Sequence, residues 1–267
     1  MEPESTAQPK SDEQNSGQRG PQTEENTKLV RVLRTIVVSE DRGKYVDERT
    51  VRFKYYNAFN YSLLSRNSGE VNLTLGITSP NRGEGKTLIA CNLAVSLAMG
   101  SQKKTILIDL NVQNPQLHRI FGIPQTPGLL DALRDTTIHV SKSAIEHLSV
   151  LTSGIPSAAP DPRPHEKSLP VPVDRTAQSP FLGLEQLTAF RDILYSLEQA
   201  YDFIIVDMPA ISNQGVPVLF ANQLNGLLVV VDTMRTKKEN IDAMFRSINK
   251  NQVLGFVYNR YRDDFSS

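Results

Sequence analysis

The sequence predicts a three-layer α/β/α fold with a mostly parallel sheet. Three observations predict it. Short apolar runs recur at Val71–Ile77, Ile106–Ile108, Leu148–Thr152, Phe203–Asp207, Gly226–Val231 and Val253–Tyr258. Helical patterns alternate with these runs, and that alternation argues a parallel sheet covered on both faces. Two runs end in an acid, at Asp109 and Asp207. They place charge at the carboxyl ends of strands, where open α/β sheets bind ligands.

Met1 to Lys28 is rich in Glu, Gln, Ser, Asn and Pro and nearly devoid of apolar residues. Such a segment cannot offset its ordering entropy, so residues 1–28 are expected to be a disordered tail. Residues 29–70 are expected to hold a docking segment and a helix. Leu29 to Val38 is more apolar and carries Arg31 and Arg34. It reads equally well as a docking segment for a partner or as a strand or helix on the domain surface. Tyr45 to Leu64 carries Tyr55, Tyr56, Phe59, Tyr61, Leu63 and Leu64, partly three to four apart, and reads as a helix on the core.

The first strand, within Val71–Ile77, leads into Ser79-Pro80-Asn81-Arg82-Gly83-Glu84-Gly85-Lys86-Thr87. A helical pattern follows at once, with Leu88, Ile89, Cys91, Leu93, Val95 and Leu97. Strand, glycine loop, Gly-Lys-Thr and helix form a phosphate cradle. Gly83 and Gly85 let backbone N–H groups approach an anion closely. The helix adds the positive end of its dipole. Lys86 supplies charge for outer phosphates and is expected to face solvent in the empty site. Thr87 offers a hydroxyl to Mg²⁺. The usual pattern starts with Gly, and Pro80 stands there instead.

Further elements complete a domain spanning 71–262. Leu129 to Arg134 reads as a short helix. Pro160 to Pro180 contains six prolines and reads as a flexible insertion, residues 160–180. Leu184 to Gln199 is an amphipathic helix with Leu187, Phe190, Ile193, Leu194 and Leu197 on one side. Thr236 to Asn249 is a helix with Thr236 as a candidate cap. Residues 263–267 form a short tail. Asp109 and Asp207, beside the loop Thr87, read as a metal-holding pair.

Composition excludes several classes. Lys plus Arg equals Asp plus Glu at 29 each, so no nucleic-acid partner is implied. The single cysteine, Cys91, rules out an internal disulfide, fits a reducing cytoplasm and is expected to be a small buried thiol. No apolar run reaches the roughly 18 residues of a spanning helix. The N-terminus lacks the apolar core of a signal peptide.

Together these motifs resemble the bacterial tyrosine kinases of capsule and exopolysaccharide synthesis. Thr78-Ser79-x-x-x-Gly83-Glu84-Gly85-Lys86-Thr87 resembles their variant phosphate loop. Ile106-Leu107-Ile108-Asp109, with Pro115, Leu117, His118 and Phe121-Gly122, resembles their second acidic motif. Gly128-Leu129-Leu130-Asp131-Ala132-Leu133 and Leu148 to Gly154 resemble their next two segments. Tyr201-Asp202-Phe203-Ile204-Ile205-Val206-Asp207-Met208-Pro209 resembles their Walker B strand, and Gly255 to Arg260 their last strand. The wider class includes the P-loop ATPases that partition chromosomes and place the division septum.

The resemblance implies a P-loop NTPase fold, ATP, Mg²⁺ and phosphoryl transfer to tyrosine. It implies catalytic roles for Lys86, Asp109 and Asp207. It implies a cofactor-binding set of Gly83, Glu84, Gly85, Lys86, Thr87, Leu88, Asn259 and Arg260, with Asn259 on the adenine edge. It implies metal binding by Thr87, Asp109 and Asp207. The implied partner is a membrane polysaccharide co-polymerase or chain-length regulator, and homo-oligomerisation is open. The implied location is the cytoplasm, held at the inner membrane through that partner.

The chain departs from the family in four places. Asn111 stands where Asp-x-Asp would put its second acid. Gln113 and Asn114 replace two arginines. The ending Tyr258 to Ser267 lacks a tyrosine cluster. Phe53 to Tyr61 lacks the Arg-rich pattern that assembles rings. A neutral amide neither accepts a proton nor balances Mg²⁺ charge as a carboxylate does. A nucleotide-binding regulatory subunit with little catalysis is therefore the alternative to a kinase. A partitioning-type ATPase is a third reading, opposed by the absence of a second loop lysine.

Overall fold

The computed structural model describes residues 33–39, 72–156, 185–211 and 216–261, all within one folded unit, Arg31–Ser267. The strands are β1 Thr35–Ser39, β2 Leu73–Thr78, β3 Thr105–Asp109, β4 Thr137–Lys142, β5 Leu148–Leu151, β6 Phe203–Asp207, β7 Gly226–Asp232 and β8 Val253–Asn259. The helices are α1 Lys86–Ser101, α2 Leu117–Ile120, α3 Leu129–Ala132, α4 Glu185–Glu198, α5 Val216–Ala221 and α6 Lys238–Ser247. Among the described residues the strands form one sheet in the order β1-β4-β5-β3-β6-β2-β7-β8. Every pairing is parallel except β4 with β5. The predicted mostly parallel α/β sheet is therefore present.

Strands β2, β3, β6 and β7 are buried along their whole length. Both their faces are covered, which is why they read as continuous apolar runs. Alternate side chains feed two cores. Ile106, Ile108, Ile204 and Val206 meet Phe190, Ile193 and Leu197 of α4. Leu107, Phe203 and Ile205 meet Ile89, Leu93 and Leu97 of α1. Each fully buried aliphatic side chain contributes about 1.5–3 kcal/mol. In α4 the buried positions Phe190, Ile193, Leu194 and Leu197 fall on the predicted stripe. Cys91 is fully buried in α1.

Strand β4 was not legible in the sequence. Its two apolar residues, Ile138 and Val140, are buried while His139 between them is exposed, too short an alternation to stand out. Strand β1 overlaps the stretch Leu29 to Val38 that read as docking segment or surface element. Thr35–Ser39 pairs with β4. Arg34 is used inside the fold, with Nη1 donating to the carbonyls of Ala132 and Asp135.

The predicted helix cap fails. Helix α6 begins at Lys238 with Lys237 at its cap, and Thr236 does not cap it. The Thr236 hydroxyl is engaged by the phosphate loop instead. The tail 1–28, the segment Tyr45–Leu64 and the insertion 160–180 lie outside the described residues. No helix among the described residues is long and apolar enough to cross a membrane.

Candidate nucleotide-binding site

Parallel strands β2, β3, β6, β7 and β8 end on the same side, and the candidate residues lie on the turns that follow them. The phosphate loop joins β2 to α1. Gly83 and Gly85 both have positive φ, 80° and 93°. That backbone region is costly for any residue with a Cβ. The Ile89 N–H donates to the Gly85 carbonyl at 3.1 Å, which starts α1 beneath the loop. Thr87 and Leu88 lie in its first turn.

Lys86 is buried, at 7% exposure, which overturns the expectation that it faces solvent. Burial draws its pKa down, and the charges of Asp207 and Glu84 partly restore it. The lysine therefore sits as an internal counter-charge to Asp207.

Asp207 ends β6 and is 1% exposed. Its Oδ2 accepts the Thr87 hydroxyl at 2.6 Å. Its Oδ1 is buried and has no hydrogen-bond partner. Asp109 ends β3 and is its register partner. Asp109 Oδ1 accepts the Asn111 N–H at 3.2 Å, and Oδ2 accepts those of Gln116 at 3.1 Å and Leu117 at 3.2 Å. Burial, and for Asp109 also the charge of Asp207, pushes both carboxyls above the ordinary range. Two buried carboxyls on adjacent strands ionise together only with a compensating cation. The donor set fits Mg²⁺, because the orphaned Asp207 oxygen and the Thr87 hydroxyl are hard oxygens beside a phosphate loop.

Asn111 does not reach toward this pair. Its Nδ2 donates to the Asn114 carbonyl at 3.3 Å, closing the turn after β3. Gln113 accepts from Arg82 of the phosphate loop at 2.6 Å.

The opposite wall comes from β7 and β8. Asn259 Nδ2 donates to the Glu84 carbonyl at 2.9 Å. Arg260 pairs with the fully buried Asp232 and donates to the Gly83 carbonyl at 3.3 Å. The Glu84 carboxylate accepts from the Asn81 N–H at 3.1 Å, Asn81 Nδ2 at 2.9 Å and the Thr236 hydroxyl at 2.5 Å. The structure thus brings Gly83 to Leu88, Asn259 and Arg260 together, with Asp109 and Asp207 beside Thr87.

Sequence reasoning missed Asp232, Thr236 and Asn81. Asp232 had a signal, since it follows the apolar run Gly226–Val231 just as Asp109 and Asp207 follow theirs. Asn81 and Thr236 had none beyond turn chemistry.

Residues 75–267 match the model of the CobQ/CobB/MinD/ParA nucleotide binding domain. The chain belongs to that family. Several of its relatives are named as bacterial tyrosine-protein kinases. The putative tyrosine-protein kinase CapB of Staphylococcus aureus is 27% identical over 223 residues, covering 82% of this chain and 88% of CapB. Tyrosine-protein kinase YwqD of Bacillus subtilis strain 168 is 30% identical over 195 residues, covering 68% of this chain and 70% of YwqD. The kinase domain of the Escherichia coli tyrosine kinase ETK superposes with a TM-score of 0.65 at 21% identity, covering 88% of this chain and 91% of that one. At that identity the match shows the fold. The resemblance read from the motifs is therefore borne out, and the fold is that of a P-loop nucleotide-binding domain.

Proposed function

We propose that this protein binds ATP with Mg²⁺ and transfers phosphate to protein tyrosine in capsule or exopolysaccharide biosynthesis. One observation carries the reading. The Thr87 hydroxyl meets Asp207 Oδ2 at 2.6 Å while Asp207 Oδ1 is buried without a partner, at the foot of a glycine loop. A hydroxyl and a half-satisfied carboxylate at that place suit a cation shared with phosphates. Kinship with CapB and YwqD supports tyrosine as the acceptor.

Backbone N–H groups of Gly83 to Leu88 and the Lys86 ammonium would hold the outer phosphates. Thr87 and Asp207 would hold Mg²⁺. When bound, Mg²⁺ neutralises charge on the phosphates. Asp109 accepts three backbone N–H groups, which fix its carboxyl beside Asp207 rather than leaving it free to swing as a base. Asn259 and Arg260 would define the adenine side. A membrane polysaccharide co-polymerase is the proposed partner, with the protein held on the cytoplasmic side of the inner membrane.

A second reading, a nucleotide-binding regulatory subunit with little catalysis, is favoured by Asn111. It carries no carboxylate and its side chain is spent on the turn to Asn114. Incubation of the pure protein with labelled ATP and Mg²⁺, with phosphotyrosine detection and ATP binding on one sample, separates the two. Binding with phosphotyrosine supports the kinase. Binding without it supports the regulatory subunit, and no binding refutes both.

A further inference from the structure

We propose that Thr236 and Glu84 are a positioning pair that sets the shape of the phosphate loop. The inference rests on the reading that the N–H groups of Gly83 to Leu88 and Lys86 hold the outer phosphates of a nucleotide. A carboxylate in the middle of a phosphate loop would repel phosphate if it faced the ligand. Glu84 instead is 3% exposed, and both its oxygens are engaged. Oε2 accepts the Asn81 N–H, and Oε1 accepts Asn81 Nδ2 and the Thr236 hydroxyl. Thr236 is held in turn, because its oxygen accepts the Asp232 N–H at 3.0 Å. Its own N–H donates to the Asp232 carbonyl at 2.8 Å.

A cavity of about 240 Å³ is lined by Asn81, Arg82, Gly83 and Glu84 of the loop and by Lys237 and Asn240 beyond it. The Thr236–Glu84 hydrogen bond links the loop to the turn after β7 beside this cavity. A charge-assisted bond such as Thr236 to Glu84 is among the stronger kinds. Through it the turn after β7 grips Glu84, while Asn259 and Arg260 after β8 grip the carbonyls of Glu84 and Gly83. The pair acts on the nucleotide only through the loop, by holding its N–H groups in place before the phosphates arrive.

Full-length wild type, Thr236→Val, Thr236→Ser, Glu84→Gln and Lys86→Met are titrated with ATP and with AMP in the presence of Mg²⁺, and their melting is recorded. Thr236→Val keeps the shape and loses the hydroxyl, so ATP affinity should fall about tenfold. AMP lacks the outer phosphates and should lose far less. Thr236→Ser should restore ATP binding to within about twofold, since it keeps the donor. Glu84→Gln keeps one acceptor oxygen for the Thr236 hydroxyl but loses the charge and the oxygen that accepts the Asn81 N–H. It should weaken ATP binding, by less than Thr236→Val, even if the latter folds poorly. The double variant should be no weaker than Thr236→Val alone. The proposal is overturned if Thr236→Val or Glu84→Gln binds ATP like wild type, or if Ser is as poor as Val. Equal losses for ATP and AMP also overturn it. If Lys86→Met binds ATP as well as wild type, the reading of the loop itself fails, which is a separate result.

Discussion

Gly85 sits against Asn259 so closely that a Cβ on it would stand 2.2 Å from the Asn259 amide nitrogen. Gly85 also has a φ of 93°, so the last strand and the phosphate loop are fitted to a residue without a side chain. Gly85→Ala should therefore displace either Asn259 or the loop. The backbone term alone is about 1–2 kcal/mol. The expected outcome is a loss of ATP affinity of at least about tenfold. Adding Asn259→Ala should recover part of that loss by removing the clash, and none of the φ cost. A titration of the single and double variants checks this; no recovery would show that the contact is incidental.

Asp109 and Asp207 make a pH prediction for the ligand-free protein. Both carboxyls are raised by burial, so the folded protein keeps protons that the unfolded chain has released above its ordinary value of about 3.9. Their contribution is fully favourable below that value and is lost as pH rises through the raised values. Asp207→Asn removes one of the two buried carboxyls. The melting temperature of the variant should exceed that of wild type by about 2–6 °C near neutral pH, with the gap shrinking toward about pH 5. Adding Mg²⁺ to ATP should further stabilise wild type and not the variant. Calorimetry at several pH values reads it, and a gap independent of pH would count against a strained carboxyl pair.

Much of this architecture was legible because buried parallel strands write themselves as apolar runs, and because Gly-Lys-Thr and strand-terminal acids carry chemistry at fixed places. Asp109 and Asp207 were found in that way. Strand β4, between β1 and β5, was not, since it shows only Ile138 and Val140 as a clue. The burial of Lys86 was also hidden, because a lysine in a glycine loop reads as exposed until the facing Asp207 is in place. Thr236 misled for a related reason. A threonine before a helical pattern is a good cap in one dimension, and only the tertiary fold brings Glu84 to its hydroxyl.

Asn111 gives a prediction about rate. Asn111→Asp restores the acid that the family pattern carries and removes the donor to the Asn114 carbonyl. The lost turn bond should cost about 0.5–1.5 kcal/mol or less, because the site is partly solvated. Phosphorylation or hydrolysis should nonetheless accelerate if a carboxylate at this position assists the transferring group. Rates for the two proteins at saturating ATP decide it. Equal rates would mean that Asn111 only closes its turn.

The most direct measurement is a titration of wild type, Lys86→Met and Asp207→Ala with ATP, with and without Mg²⁺. Lys86→Met removes a charge-assisted contact worth roughly 1.5–3 kcal/mol, so affinity should fall at least about tenfold. Asp207→Ala should abolish the gain in affinity that Mg²⁺ gives to wild type. Wild type that binds no ATP, or variants that match wild type with the same response to Mg²⁺, would contradict a nucleotide site built on Lys86, Thr87 and Asp207.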